Sequence, residues 1–111
     1  MSFYNKEIDI FTYCKYEDDN GFEREAYKKV NHDGALMVDL QPYSTEKART
    51  EYGYDIKCTI RMFCDVIEEI TESSIIKYKQ KLYKVEKIPW DDEYLEVLLS
   101  ETNGITVFEE L

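Results

Sequence analysis

The chain has 111 residues, 43 % hydrophobic and 14 % aromatic, with 24 acidic and 14 basic residues giving a formal charge of -10. This length is enough for one domain with one core and too short for a separate active-site domain. The charge opposes sequence-independent attraction to phosphate and to anionic membrane surfaces, and no stretch approaches the roughly 20 apolar residues of a membrane helix, so neither a nucleic-acid grip nor a membrane partner is expected.

The N-terminus has Glu7 and no apolar run that could form the core of a signal peptide, which predicts an intracellular site of synthesis. From Glu7 to Tyr16, the residues Ile8, Ile10, Thr12, Cys14 and Tyr16 lie on one side of an extended chain, and Asp18-Asp19-Asn20-Gly21 signals a turn. The return arm, Phe22 to Val30, is polar and poorly patterned, as expected of an edge strand or of one that completes its burial against another subunit. Asp33-Gly34 then turns the chain into a third strand, Ala35 to Gln41, with Leu36, Val38 and Leu40 facing one way.

Pro42 ends that strand. Ser44 or Thr45 caps a short helix over about Thr45 to Tyr52, with Glu46 in its first turn and Gly53 closing it. Ile56, Cys58, Ile60, Met62 and Cys64 alternate against Lys57, Thr59, Arg61, Phe63 and Asp65, predicting a half-buried strand over the whole stretch. Val66 to Ser73 is either a loop or one helical turn.

Ser74 to Leu99 reads as three strands joined by tight turns. Ile75, Ile76 and Tyr78 form a short run, Lys79-Gln80-Lys81 is a polar tip, and Leu82 to Ile88 places Tyr83 and Val85 opposite Lys84 and Glu86. Leu95, Val97 and Leu99 alternate again after Asp91-Asp92. Pro89 cannot donate a ladder hydrogen bond and belongs at a strand end or bulge, with Trp90 folding back over the core as a corner. Asn103-Gly104 offers a last hairpin turn, so residues 100–111 form either a final strand, Ile105 to Phe108, or a frayed tail.

The fold class that follows is mostly β: one small antiparallel β-barrel of about six to seven strands with a helical or loop insert at 43–54. The candidate core is Ile56, Cys58, Ile60, Met62, Cys64, Tyr83, Val85, Trp90, Leu95 and Val97. All three cysteines read as packed thiols, because Cys58 and Cys64 lack the close pairing and additional ligands of a zinc site. No metal or cofactor is expected.

Catalytic signals are sparse. The single histidine, His32, lies in the turn Asn31-His32-Asp33-Gly34 with no supporting nucleophile motif, and a solvated side chain is the simpler account. Carboxylates at Asp18-Asp19, Glu68-Glu69, Asp91-Asp92-Glu93 and Glu109-Glu110 read as solvated turns, and the four glycines make no phosphate-binding loop. Ten tyrosines stand out, and Tyr43, Tyr52 and Tyr54 flank the insert, where a cluster of amphipathic rings suits a subunit interface. The strand tyrosines fit an interface or a packed sheet equally well.

The N-terminal hairpin, the central QPYSTEKARTEYGYDIKCTIRMF and the terminal IIKYKQKLYKVEKIPWDDEYLEVLL together resemble the head-tail connector proteins of tailed bacteriophages and prophages, also called head completion or stopper proteins. The resemblance spans roughly Lys6 to Leu99 and is one of layout. The family's usual glycine at the hairpin tip is replaced here by Lys79-Gln80-Lys81. It implies a non-enzymatic barrel that forms a ring with copies of itself, between a portal or adaptor protein above and a tail completion protein below. Genomic DNA would pass through the lumen without specific binding, and the protein would move from the bacterial cytoplasm during assembly to the virion neck. The segment Tyr43 to Tyr54 is similar in position to the channel loop of that family, making Tyr43, Thr45, Lys47, Arg49, Tyr52 and Tyr54 the candidate channel or subunit contacts. A cellular small-barrel adaptor that binds a peptide or protein partner is the alternative.

Overall fold

The computed structural model describes residues 5–30, 36–105 and 107–108. Eight strands and one helix follow in order: β1 (Lys6–Glu17), β2 (Glu23–Lys29), β3 (Leu36–Pro42), α1 (Thr45–Tyr52), β4 (Ile60–Cys64), β5 (Ile75–Tyr78), β6 (Lys81–Asp91), β7 (Leu95–Thr102) and β8 (Val107–Phe108). The sheet runs β3-β4-β7-β6-β5-β1, and β1 pairs with β3 to close it into a six-stranded antiparallel barrel. Closure removes the free edges of those six strands.

β1 is long because it serves two purposes. Lys6–Ile8 pair with β3 and Asp9–Phe11 pair with β5, whereas beyond Phe11 the strand pairs, among the described residues, only with β2. The β1–β2 hairpin therefore continues past the ring as a two-stranded arm, and β8 adds to β2 in parallel. The arm turns back where the sequence signals it. Asp18 accepts hydrogen bonds from the backbone N–H groups of Asn20 and Phe22, each at 2.9 Å, and Gly21 takes a positive φ of 81°. The predicted turn at Asp33-Gly34, and His32 with it, lie outside the described residues.

The barrel interior is filled by Ile8, Ile10, Val38, Met62, Cys64, Ile76, Tyr83, Val85, Leu95, Val97 and Leu99, with Ile70 from the loop after β4 added to them. That loop is turned by Ser74, whose hydroxyl donates to the Glu69 carbonyl at 3.0 Å and accepts from the Thr71 N–H at 2.9 Å. The β5–β6 turn holds both Lys79 and Gln80 at positive φ, 48° and 70°. Those angles match the tight hairpin turn whose twist suits the flanking strands, here without the glycine that would adopt them at no steric cost.

Three expectations are corrected. The strand expected from Ile56 is regular only over Ile60–Cys64: residues 53–58 instead wrap beneath α1, Cys58 is buried in a second cluster with Tyr43, Ala48 and Leu98, and Ile56 and Ile60 are only half-buried. Trp90 is not in the core; it is 46 % exposed. The β6 ladder shifts register between Val85 and Lys87 and again between Lys87 and Trp90, around Pro89. Lys87 thus comes opposite Leu98 and Trp90 opposite Glu96, on the outward side of β7. Finally, β8 pairs with β2 in parallel, so Asn103-Gly104 does not form a hairpin with β7.

Candidate interaction surface on the outer barrel wall

Helix α1 forms where its end signals predict. Ser44 caps it by accepting the Lys47 N–H at 3.1 Å, and Gly53 ends it at φ 74°, its N–H directed to the carbonyls of Ala48 and Arg49. Its buried side is small. Ala48 is fully buried in a cluster with Leu98, an outward-facing residue of β7 that is completely covered, and with Tyr43 and Cys58 on either side of the helix in sequence. The Tyr43 N–H donates to the Thr59 carbonyl at 2.9 Å, and the Cys58 N–H donates to Thr45 Oγ1 at 3.3 Å. The segment 43–54 therefore lies against the barrel wall. Its exposed side carries Glu46, Lys47, Arg49 and Thr50, while Tyr52 and Tyr54 are half-buried and Tyr43 is buried.

The three tyrosines flanking the helix do come together. Tyr52 and Tyr54 stack with centroids 5.6 Å apart, and Tyr43 lies 6.3 Å from Tyr52. Burial and a hydrogen bond donated to Glu51 push the Tyr43 phenol up to about 12, with the Glu51 charge acting in the same direction.

Arg61, outside the candidate residues read from the sequence, joins this cluster to the rest of the wall. Its guanidinium lies 4.6 Å from the Tyr43 ring centroid and 5.2 Å from that of Phe63. It donates to Glu51 Oε2 at 3.2 Å, to the Tyr52 hydroxyl at 3.4 Å and to Gln41 Oε1 at 3.1 Å. Such a planar cation between rings keeps its charge while its faces pack. The only hint in the sequence was its outward register in β4, facing away from Met62.

Beyond Arg61 the aromatic surface continues. Phe63 lies 6.1 Å from Tyr94, and Tyr94 lies 6.2 Å from Trp90. A band thus runs across the outer wall from Tyr54 through Tyr52, Tyr43, Arg61, Phe63 and Tyr94 to Trp90. Lys87 ends it on the helix side, its Nζ 5.8 Å from the Tyr54 ring. Trp90 and Tyr94 are the exposed end, at 46 % and 38 %. Beneath them Glu96, 8 % exposed, stands in register between Phe63 of β4 and Trp90 of β6. Burial raises its carboxyl above the ordinary range, Glu51 adds to the shift, and its Oε1 has no hydrogen-bond partner among the described residues.

No family model and no curated protein matches the chain. Among solved structures it is similar to the solution structure of protein SF1141 from Shigella flexneri 2a, at 19 % sequence identity and a TM-score of 0.69, over 91 % of this chain and 95 % of that one. The two share a fold. At that identity the likeness carries no activity or partner across, because small barrels serve many functions.

Among the described residues no group of three or more His, Cys, Asp or Glu is placed to hold a metal ion, and no helix is long and apolar enough to cross a membrane. The cysteines are free thiols, with Cys58 and Cys64 buried and Cys14 half-buried. Burial pushes the Cys64 thiol up to about 12, and the nearby Asp65 adds to the shift, the opposite of what a reactive thiolate needs.

Proposed function

We propose that this chain is a structural, non-enzymatic assembly part: a head-tail connector of a tailed bacteriophage or prophage, copies of which close into a ring below the portal, join head to tail and help retain packaged DNA. The observation that carries this reading is the aromatic band from Tyr54 to Trp90, whose exposed end presents two large rings on the wall of a closed barrel. Exposed aromatic area of this kind is characteristic of surfaces that meet a protein partner. The arm formed by β1 and β2 supports the same reading, since it extends outside the ring and carries Tyr13 at 41 % and Phe22 at 61 % exposure. The sequence layout supplies the connector identity, and the charge of -10 suits a lumen through which DNA passes without adhering.

Deleting the gene from the phage or induced prophage that carries it tests the reading. DNA-filled heads without attached tails are expected, and normal tailed particles would overturn it. The exposure of Trp90 also favours a second reading, a cellular adaptor that takes a peptide on this wall. Capture of a host peptide with no portal or tail component would decide for the adaptor.

A further inference from the structure

Among the described residues two buried polar side-chain atoms lack a hydrogen-bond partner, Arg61 Nε and Glu96 Oε1; Arg61 donates from its other nitrogens to Glu51, Tyr52 and Gln41, which leaves Glu96 as the group on this wall without a partner. A carboxylate this buried normally has its hydrogen bonds supplied, because an unpaired buried polar group costs stability. Here Oε1 has none, and the residues in register on either side are Phe63 and Trp90, with the Tyr94 ring near both. Rings around a carboxylate suit a cation: their faces attract it and the carboxylate pairs with it. Asp91, Asp92 and Glu93, all exposed, border the patch with further negative charge.

The chain carries its own complementary group. Although the net charge is -10, residues 77–87 hold five of the 14 basic residues and one acid, whereas residues 91–96 hold four carboxylates and no base. Lys79 and Lys81 stand exposed at the β5–β6 turn. That turn and Trp90 occupy opposite ends of β6, about 25–30 Å apart at strand rise, so the lysines cannot reach the patch of their own chain.

We propose that the patch of Phe63, Trp90 and Tyr94 over Glu96 receives the lysine side chains of the β5–β6 turn of a second copy. The donor end and the acceptor end differ, so the contact is head-to-tail and repeats from copy to copy until a ring closes. This deepens the connector reading and rests on it only for the closure of the ring.

The test uses the full chain, with sedimentation velocity for mass and emission of Trp90, the single tryptophan, for contact at the patch. The wild type is expected to self-associate with concentration, more strongly at low salt, with a blue shift of the emission. Lys79→Glu/Lys81→Glu and Trp90→Ala should each weaken association roughly tenfold or more, as expected for residues central to an interface. Mixing these two variants pairs the intact patch of one with the intact turn of the other and should restore dimers that grow no further. Glu96→Gln, which relieves a buried charge and so cannot act by unfolding the barrel, should weaken association as well. A wild type that stays monomeric to millimolar concentration overturns the proposal. Association with unshifted emission, or variants that associate like the wild type, also overturns it and leaves ring assembly to another face.

Discussion

Trp90 and Glu96 are cross-strand partners on the outer wall of the barrel, the indole largely exposed and the carboxylate almost fully covered. The pair places a buried negative charge beside an exposed ring. The charge costs stability and the ring contributes little to it, which is characteristic of a surface built for contact with something else.

The cost has a definite pH dependence. Because the folded state raises the Glu96 carboxyl above its ordinary 4.5, ionisation opposes folding. The penalty is absent below that ordinary value, grows as pH rises towards the folded value and is constant above it. Glu96→Gln should therefore raise stability by about 1 kcal/mol at neutral pH, in line with the cost of an unsatisfied buried group. Urea melts of the two proteins should converge as pH falls through the folded value to below 4.5.

Tyr43 is an acid shifted in the same direction, with a different window. Its phenol is held up to about 12 against an ordinary 10.0, so its neutral, hydrogen-bonded form supports the fold fully below 10 and that support is lost as pH rises towards 12. Tyr43→Phe keeps the ring over which Arg61 packs and loses the bond to Glu51, costing about 1–2 kcal/mol at neutral pH. Thermal melts across the alkaline range should show the gap between the two proteins closing.

Leu98 and Trp90 are both outward-facing on the barrel, yet only Leu98 of the two is covered, in a cluster with Ala48 of α1, Tyr43 and Cys58. Leu98→Ala leaves a cavity between helix and wall and should cost about 3 kcal/mol in chemical denaturation. Trp90→Ala should cost less than about 1 kcal/mol, and the wild-type indole should be readily quenched by acrylamide in the dilute monomer.

The β5–β6 turn holds Lys79 and Gln80 at positive φ. Replacing the pair with Asn-Gly, which adopts these angles with less strain, should stabilise the fold by about 1 kcal/mol. Thermal denaturation of the double variant reads this directly.

Local signals in the sequence located α1, because Ser44 and Gly53 act within a few residues of the helix, and placed the Asp18 to Gly21 turn for the same reason. Alternation identified the inward set Met62, Cys64, Leu95 and Val97, since a barrel wall separates inside from outside at period two. It failed at Trp90, because the register shifts around Pro89 cannot be read from residue order, and over residues 56–59, where the chain under α1 abandons the strand that its pattern implies although Cys58 is buried there as expected. Leu98 and Glu96 were missed because their burial comes from α1 and from neighbouring strands, distant in sequence. Tyr43, Tyr52 and Tyr54 were found by composition, but the connection through Arg61 to Phe63 and Trp90 exists only once β3, β4, β7 and β6 lie side by side.

On the connector proposal, copies of this chain form a ring at the neck through the outer aromatic wall. Electron cryomicroscopy of neck complexes bound to the portal shows whether they do. A closed ring of this barrel, with Trp90 and Tyr94 covered at each boundary between copies, is the result expected. A neck that lacks the chain would rule the proposal out, as would an assembled ring that leaves Trp90 and Tyr94 facing solvent.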